Sequence, residues 1–592
     1  MIKKFFSNVV GSFVGAWLAL VVFSFASVVI SFSIIGSFAG DVSVGTTSVQ
    51  DGSVLHLNLS GGFSERSSGD ETLDALLGKE EGLKSSLATV IKALKVAKEN
   101  NKIKGVFIEC KGSGAGFASL YEIRKAIQDF KESGKFVIAY GNVGIVQGDY
   151  YVASAADSIM LNPVGAVDIH GLSATIPFFK NMLDKIGVEM QVIRVGTFKS
   201  AVEPYVETQA SSANRMAMEA YMNSIWGNMC DSISVSRSIP VKKLNEMADS
   251  LMVTQSAEYL KANGIVDGLC YRFEMLDTLK DMCGLSSSDD VSLVSPEQVA
   301  ALDVPKLHAD KVAVVYAVGE IDGSSDDEDG VNSRELVKDI IKIAKDNAVK
   351  AVVLRVNSPG GSAFGSEQIW AALEEVKKAG KPFAVSMGDL AASGGYYISC
   401  GADRIFAEPL TITGSIGIFG MIPCYKELMN DKLGINLSVV NTNENGNFIS
   451  TTEPLTPVQR AALQRMINEG YELFTTRCAE GRGMELDSLK LIAEGRVWDG
   501  ITAKKLGLVD EFGNLDDAID WVVEMAKMGN YSISVYPEQD TSLMRYLRSY
   551  VTAKISNAVG VKAGELYKYQ DEINAIMSRD HVQCLMEPVV IK

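Results

Sequence analysis

A chain of 592 residues is too long for one core, because globular domains usually span about 100 to 200 residues. Hydrophobic residues make up 47% and charged residues 22%, which is typical of a globular α/β protein and excludes a disordered or fibrous chain. The net charge of -17 would repel nucleic-acid phosphates, so nucleic acid is not expected as a partner.

The first predicted element is a transmembrane helix, residues 5–38. Its central stretch, Val14 to Ile35, is long and apolar enough to cross a hydrocarbon layer of about 30 Å. A cleaved signal peptide would have a shorter apolar region. Lys3 and Lys4 precede the span, and the positive-inside rule therefore leaves the short tail in the cytoplasm. The sequence predicts a single-pass anchor in the inner membrane's lipid bilayer, with the body on the periplasmic side.

The body is predicted to contain two copies of one domain. An offset of 246 residues aligns Ile108–Gly171 with Leu354–Gly417 without a gap, which indicates a duplication. Short β-branched runs such as Val312–Tyr316 alternate with helical patterns such as Glu367–Lys378, so each copy is expected to be an α/β domain with parallel strands. The predicted segments are a first repeat at 52–285, a polar linker at 286–308, a second repeat at 309–540 and an amphipathic tail at 541–592.

A serine stands at a predicted strand-to-helix turn of the second repeat. The strand from Phe383 leads into Ala391–Gly395, so backbone N–H groups and a helix N-terminus would surround the hydroxyl of Ser393. Capping a helix is the commoner role for such a serine. The aligned residue of the first repeat is Gln147, however, and a serine present in only one of two similar turns favours a nucleophile.

A serine nucleophile needs a base, and the settings of the four histidines indicate structural roles: His56, His170, His308 and His581. Lys199 is the remaining candidate, although most lysines lie at the surface. It follows a predicted strand in a segment of small residues, and Ile449 replaces it in the second repeat. An apolar pocket would favour the neutral amine that a base requires. Each copy therefore retains one half of a Ser–Lys dyad.

The sequence predicts no cofactor and no metal. It contains no P-loop, no dinucleotide-binding fingerprint and no zinc-ligand spacing. The eight cysteines are scattered, which leaves one or two disulfides open without indicating a pairing.

Three motifs resemble those of the signal peptide peptidase A family, also called protease IV, in its long double-domain form: Asn357–Ser362, Ala392–Tyr397 and Thr413–Gly417. The resemblance covers nearly the whole chain. It implies tandem ClpP/crotonase-like domains, assembled as a bowl-shaped homotetramer that degrades leftover signal peptides near the membrane. Ser393 would be the nucleophile, Lys199 the general base and Ser415 the hydroxyl that orients the lysine. The implied oxyanion hole consists of Gly360, Gly361 and Gly394.

Two other functions remain as alternatives. Glycine-rich turns of this kind also bind the thioester oxyanion in crotonase-type acyl-CoA enzymes. CoA chemistry is cytoplasmic, however, whereas the predicted anchor places the body of this chain outside the cytoplasm. A non-catalytic membrane scaffold is the second alternative, against which the intact second copy argues. The dyad interpretation carries one further expectation. Glu203 should point away from Lys199, because an ion pair would favour the charged amine.

Overall fold

The structure, a computed structural model, describes residues 49–66, 85–286, 288–303, 308–323, 330–538, 582–586 and 590–591. The predicted membrane anchor, residues 5–38, lies outside these ranges, as does the amphipathic pattern from Tyr546 to Ile555. Among the residues that are described, no helix combines the length and apolar character needed to span a membrane.

The first repeat is built on a six-stranded parallel sheet with the strand order β10-β1-β2-β3-β5-β9. The strands up to the linker are β1 (Ser53–Gly61), β2 (Ile103–Ser113), β3 (Phe136–Gly141), β4 (Gly144–Ile145), β5 (Ser158–Leu161), β6 (Ala166–Val167), β7 (Ala174–Thr175), β8 (Glu189–Val195), β9 (Gly268–Leu269) and β10 (Leu293–Val294). Strand β10 lies inside the stretch predicted as a linker and adds an edge strand beside β1.

Helices cover this sheet, and for that reason its central strands are continuous apolar runs. Val106, Phe107 and Ile108 of β2 are all fully buried, as expected for a parallel sheet covered on both faces. The α-helices of this part are Leu87–Glu99, Phe117–Lys131, Gln147–Ala153, Lys180–Ile186, Glu203–Val206, Ser212–Arg237, Val241–Asp249, Ala257–Ala262, Arg272–Cys283 and Pro296–Ala300, with a 3-10 turn at Met252–Thr254.

The second repeat contains the same sheet with additions. Its strands are β11 (Lys311–Val318), β12 (Val349–Ser358), β13 (Gly360–Ser362), β14 (Phe383–Ala392), β15 (Arg404–Ala407), β16 (Ile412–Gly414), β17 (Ile418–Cys424), β18 (Val497–Asp499), β19 (Glu511–Phe512) and β20 (Ser532–Tyr536). The path β20-β11-β12-β14-β15-β19 repeats the order of the first sheet, while β16 and β18 extend it beside the end of β14. The helices are Ser333–Lys345, Ala363–Lys378, Gly394–Ser399, Pro457–Arg482, Leu486–Ile492, Gly500–Lys505 and Leu515–Met525, with a π-helical turn at Leu428–Lys432.

Hydrogen bonds recur at the offset of 246 residues. Asp157 Oδ2 accepts the backbone N–H of Val137 at 2.8 Å, and Asp403 Oδ2 accepts that of Phe383 at 2.9 Å. In both copies this carboxylate ties the loop before the fourth central strand to the start of the third. The α/β class and the duplication predicted from the sequence are therefore confirmed.

A smaller sheet joins the two repeats. Its order is β13-β21-β17-β8, where β21 is Val582–Leu585 near the end of the chain. Strand β8 of the first repeat pairs antiparallel with β17 of the second along its whole length, from Val195 opposite Ile418 to Glu189 opposite Cys424. The segment that follows β8 is thereby held against the second repeat. A last short strand, β22 (Val590–Ile591), pairs with β7.

A buried ionic cluster also links the repeats. Arg355 on β12 is 1% exposed, and its Nε lies 2.8 Å from Glu65 Oε2 while its Nη2 lies 2.9 Å from Glu122 Oε1. Both carboxylates belong to the first repeat. Burial raises the pKa of Glu122 to about 7. Burial and then the neighbouring Glu122 raise the pKa of Glu408, on the second repeat, to about 8.

Candidate active site

Ser393 occupies the junction between β14 and the helix Gly394–Ser399. Its backbone has φ 54° and ψ −112°, a conformation that non-glycine residues seldom adopt because of steric strain. Two backbone hydrogen bonds hold it there: the Ser393 N–H donates to the Gly414 carbonyl at 2.8 Å, and the Tyr397 N–H donates to the Ser393 carbonyl at 2.8 Å. The serine thus lies at a strained turn between a strand and a helix, the position that the sequence predicts.

Two glycine segments meet at this turn. A Cβ on Gly360 would come within 2.6 Å of the Gly394 nitrogen, and a Cβ on Gly394 would come within 3.0 Å of Gly360 Cα. Gly360 has φ +100° and Gly361 φ +149°, so strand β13 uses backbone conformations that favour glycine. The structure therefore brings Gly360 and Gly394 together beside Ser393, while Gly361, the next residue of β13, packs against the backbone of Ile321.

Lys199 reaches the serine from the first repeat. Its side chain is 1% exposed, and its Nζ lies 2.7 Å from Ser393 Oγ. The same nitrogen lies 3.1 Å from both Oγ and the carbonyl oxygen of Ser415. Ser415 has φ 50°, and its N–H donates to the Arg496 carbonyl at 2.7 Å. The three polar side chains singled out from the sequence converge within one chain.

Two further glycines make room for the lysine. A Cβ on Gly495 would come within 2.7 Å of Lys199 Cα, and one on Gly417 would come within 3.1 Å of Lys199 Cδ. The Phe198 N–H donates to the carbonyl of Glu494 at 2.9 Å, which fixes the segment before the lysine. Sequence analysis assigned no role to these two glycines. The role of Gly417 could have been predicted, because this residue ends the ungapped alignment of the repeats. No sequence signal indicated Gly495.

Glu203 is buried close to Lys199 in the sequence, but its carboxylate is engaged elsewhere. Its Oε2 accepts the Ser211 backbone N–H at 3.1 Å and the side-chain amide of Asn214 at 3.1 Å. Arg194 Nη1 lies 3.9 Å from the other oxygen. These contacts are those expected of a carboxylate that points away from the lysine.

The wall behind the serine is apolar and aromatic. Tyr397 stacks on Phe474 with ring centroids 4.3 Å apart, and its hydroxyl donates to Glu367 at 2.7 Å. Burial and then Glu367 raise the pKa of Tyr397, so this phenol stays protonated. The same interior raises the pKa of the Cys584 thiol to about 12, against a smaller lowering by Lys199. All eight cysteines are free thiols.

The described ranges contain no group of three or more His, Cys, Asp or Glu side chains arranged to hold a metal ion. The histidines that sequence analysis assigned to structural roles include His56, whose Nε2 lies 3.0 Å from Glu109 Oε2. What the site does contain is a hydroxyl, a buried amine and glycine backbones at one turn. Such a set can form and stabilise a tetrahedral acyl intermediate.

Comparisons with known proteins agree with this chemistry. The model of peptidase family S49 matches residues 129–285 and 375–529, one match in each repeat. Protease 4 of Haemophilus influenzae is 36% identical over 542 residues, which are 87% of this chain and 86% of that protein. Protease 4 of Salmonella typhi is 35% identical over 502 residues, which are 83% of this chain and 81% of that protein. The chloroplastic serine protease SPPA of Arabidopsis thaliana is 28% identical over 485 residues, 80% of this chain and 69% of that protein.

A solved structure of a ClpP1 variant from Listeria monocytogenes is 17% identical and covers 35% of this chain and 94% of its own, with a TM-score of 0.23. A TM-score this low does not establish a common fold. The repeated domain and its two matches define a serine peptidase. The chain belongs to peptidase family S49. Its similarity to Protease 4 over most of its length confirms the resemblance to signal peptide peptidase A.

Proposed function

We propose that the chain is a membrane-anchored endopeptidase that uses a Ser–Lys dyad, with Ser393 as nucleophile and Lys199 as general base. One observation carries the proposal: the buried Lys199 Nζ lies 2.7 Å from the buried Ser393 Oγ. At this distance a neutral amine can accept the hydroxyl proton directly. Burying an ammonium is unfavourable, which supports the neutral form that the role requires.

The proposed reaction begins when Ser393 Oγ attacks the carbonyl carbon of a bound peptide. Its proton passes to Lys199 Nζ as the new O–C bond forms, and the carbonyl oxygen becomes an oxyanion. Collapse of this intermediate breaks the peptide C–N bond, and the lysine returns the proton to the leaving amine. Water then attacks the acyl ester with Lys199 again as base, which releases the second product and restores the serine.

Ser415 would position the amine. Its hydroxyl lies 3.1 Å from Lys199 Nζ and can hold the lysine toward Ser393 without adding a negative charge that would favour the ammonium. Backbone N–H groups at Gly360, Gly361 and Gly394 would stabilise the oxyanion. The close approach of the Gly360 and Gly394 backbones supports that role, because donors fixed before the reaction need no reorganisation.

The resemblance to signal peptide peptidase A supports the remaining parts of the proposal. The substrates would be cleaved signal peptides and other small peptides, the assembly a homotetramer, and the location the periplasmic side of the inner membrane. The apolar stretch at 5–38 would anchor the chain in the lipid bilayer. A reporter fused after Gly40 that reads as cytoplasmic would contradict the topology, and a solution mass other than four chains would contradict the tetramer.

The dyad is tested with a fluorophosphonate probe and a fluorogenic peptide on the full chain. Ser393→Ala should abolish labelling and reduce kcat/KM by about 10³-fold or more, and Lys199→Ala should do the same to cleavage. Lys242→Ala is the matched control, since that side chain is 89% exposed. It should retain the parent rate. Peptide cleavage at the parent rate by either folded dyad variant would refute the proposal.

The requirement for a neutral amine gives a second test. The parent rate should rise with pH to a plateau, because protonated Lys199 cannot accept the serine proton. Lys199→Arg should be inactive over the whole range, since a guanidinium does not lose its proton in proteins. A pH-independent parent rate would count against the lysine as base.

A further inference from the structure

The segment Val582–Met586 lies in the cleft between β13 and β17 of the joining sheet. Strand β21 is inserted between β13 and β17 and pairs antiparallel with both. On one side Cys584 is opposite Gly361 and Leu585 opposite Gly360, and on the other Gln583 is opposite Phe419. Main-chain pairing of an extended segment with a sheet strand is a recurring mode of peptide binding.

The carbonyl oxygen of Cys584 lies against the glycine backbones beside Ser393. Its oxygen would be 2.0 Å from a Cβ on Gly360 and 3.1 Å from a Cβ on Gly394. The Met586 N–H donates to the Pro359 carbonyl at 2.9 Å. Hydrogen-bonded pairs alternate in an antiparallel ladder, so the pair two residues along, Gly361 with Cys584, is the next one expected to exchange bonds. The glycine backbones that would stabilise an oxyanion thus surround this one carbonyl oxygen.

The side chains on either side of that carbonyl are accommodated as those of a ligand would be. Cys584 is fully buried in the core of the second repeat, with Tyr397 and Cys478 among its neighbours. Leu585 is 7% exposed and packs on the opposite side of the strand. Its apolar partners come from both repeats: Ala201, Val202 and Phe419.

We propose that Val582–Met586 is an internal substrate mimic, bound with the Cys584 carbonyl at the position of the scissile carbonyl, so that this segment of the chain occupies the cleft and competes with other peptides. The inference rests on the dyad proposed above. A tethered segment acts at an effective concentration of about millimolar, so an external peptide must displace it. The side chain before the cut must fit the space that Cys584 fills, which favours small residues.

Enlarging Cys584 tests the competition in the full chain. Cys584→Trp cannot fit a fully buried thiol site, and the strand should leave the cleft. The rate of fluorophosphonate labelling at Ser393 and kcat/KM for a small peptide should both rise about tenfold or more, because the tethered competitor is gone. Val164→Trp, at a residue 86% exposed, should keep the parent rates. A folded Cys584→Trp variant with the parent labelling rate would overturn the proposal.

The unmodified chain gives a test that needs no variant. Iodoacetamide is added with and without a saturating peptide aldehyde, and alkylation of Cys584 is followed by peptide mass spectrometry. The aldehyde should displace the strand and accelerate alkylation of Cys584, while Cys230, which is 1% exposed, stays protected. Equal alkylation of Cys584 in both samples, with the aldehyde shown to block fluorophosphonate labelling, would overturn the proposal. If Ser393 is labelled in no sample or variant, the dyad itself has failed.

Discussion

The two repeats share one fold but differ at the turn after their third central strand. In the first repeat Val146 precedes the helix with φ −75°, and the side-chain oxygen of Gln147 accepts the backbone N–H groups of His170 and Gly171 at 3.1 and 3.0 Å. In the second repeat the residue that precedes the helix is Ser393, with φ 54°. The turn of the first repeat is held by hydrogen bonds to the Gln147 side chain. The strained turn of the second repeat instead presents the hydroxyl of Ser393, the proposed nucleophile.

The other half of the site shows the reverse pattern. Lys199 belongs to the first repeat, and the second repeat has Ile449, partly buried against its own core. Pairing of β8 with β17 carries the lysine across to Ser393. The joining sheet thus holds one half of the proposed dyad from each repeat, with Lys199 Nζ 2.7 Å from Ser393 Oγ. Neither repeat should be active without the other.

The largest expected difference between the copies is at their aligned turns. Ser393→Ala should lower kcat/KM by about 10³-fold or more, because it removes the proposed nucleophile. Gln147→Ala should leave kcat/KM within about twofold but lower the melting temperature, since two backbone N–H groups lose a buried acceptor. Rates and melting curves of both variants check this. A comparable loss of activity in Gln147→Ala, with the fold intact, would show that the first turn takes part in catalysis.

A second contrast concerns stability at another aligned pair, Arg355 and Glu109. Arg355→Met should reduce the free energy of unfolding by about 3 to 5 kcal/mol, because it leaves Glu65 and Glu122 buried without their partner. Glu109→Gln should cost about 1 kcal/mol, since its partners His56, Lys111 and Arg272 are 22%, 44% and 42% exposed and can turn to solvent. Denaturant unfolding measures both. Equal losses would mean that breaking the buried ionic cluster costs no more than breaking the partly exposed one.

Much of this comparison could be predicted from the sequence, because the duplication serves as an internal alignment. It indicated the strand-to-helix turn at Ser393, the substitution by Gln147 and the complementary Lys199. These are local features: a strand pattern, a glycine pair and a segment of small residues are each visible within about ten residues. The α/β class follows in the same way from alternating patterns of period 2 and 3.6.

The features of the site that the sequence does not predict depend on contacts between distant segments. The positive φ of Ser393 is set by its bond to Gly414, and the fit of Gly495 against Lys199 joins residues almost 300 apart. Strand β21 is four residues long, in a tail whose amphipathic pattern predicts a helix that binds a partner or lies on a membrane surface. Its identity as a strand comes from the two edges that receive it, and pairing partners of so short a segment cannot be found from its own residues.

A third contrast tests the glycine backbones. Gly360 and Gly114 are aligned, yet a Cβ on Gly114 meets nothing nearer than 3.9 Å, whereas Gly360 has φ +100° and faces the Gly394 nitrogen. Gly360→Ala should lower kcat/KM about 10²-fold, the loss typical of a damaged oxyanion hole. Gly114→Ala should leave the rate unchanged. Measuring kcat/KM for a peptide with both folded variants tests this prediction. Full activity in Gly360→Ala would show that β13 does not contribute to the active site.

The smallest expected effect is a dependence of stability on pH. Glu408 is aligned with the neutral Asn162, and its folded pKa of about 8 lies above the usual carboxyl value, 4.5. Between those values folded Glu408 binds more protons than unfolded Glu408, so its contribution to stability is greatest at low pH and is lost as the pH rises through about 8. The groups that face Glu408 are of both signs: Glu122, Lys125, Asp517 and Arg355.

Glu408→Gln should reduce the decrease in the free energy of unfolding between pH 5 and 9 by roughly 1 to 3 kcal/mol, measured by urea unfolding across that range. An unchanged slope would show that Glu408 ionises in the fold as freely as in the unfolded chain, and the cluster between the repeats would then be open to water.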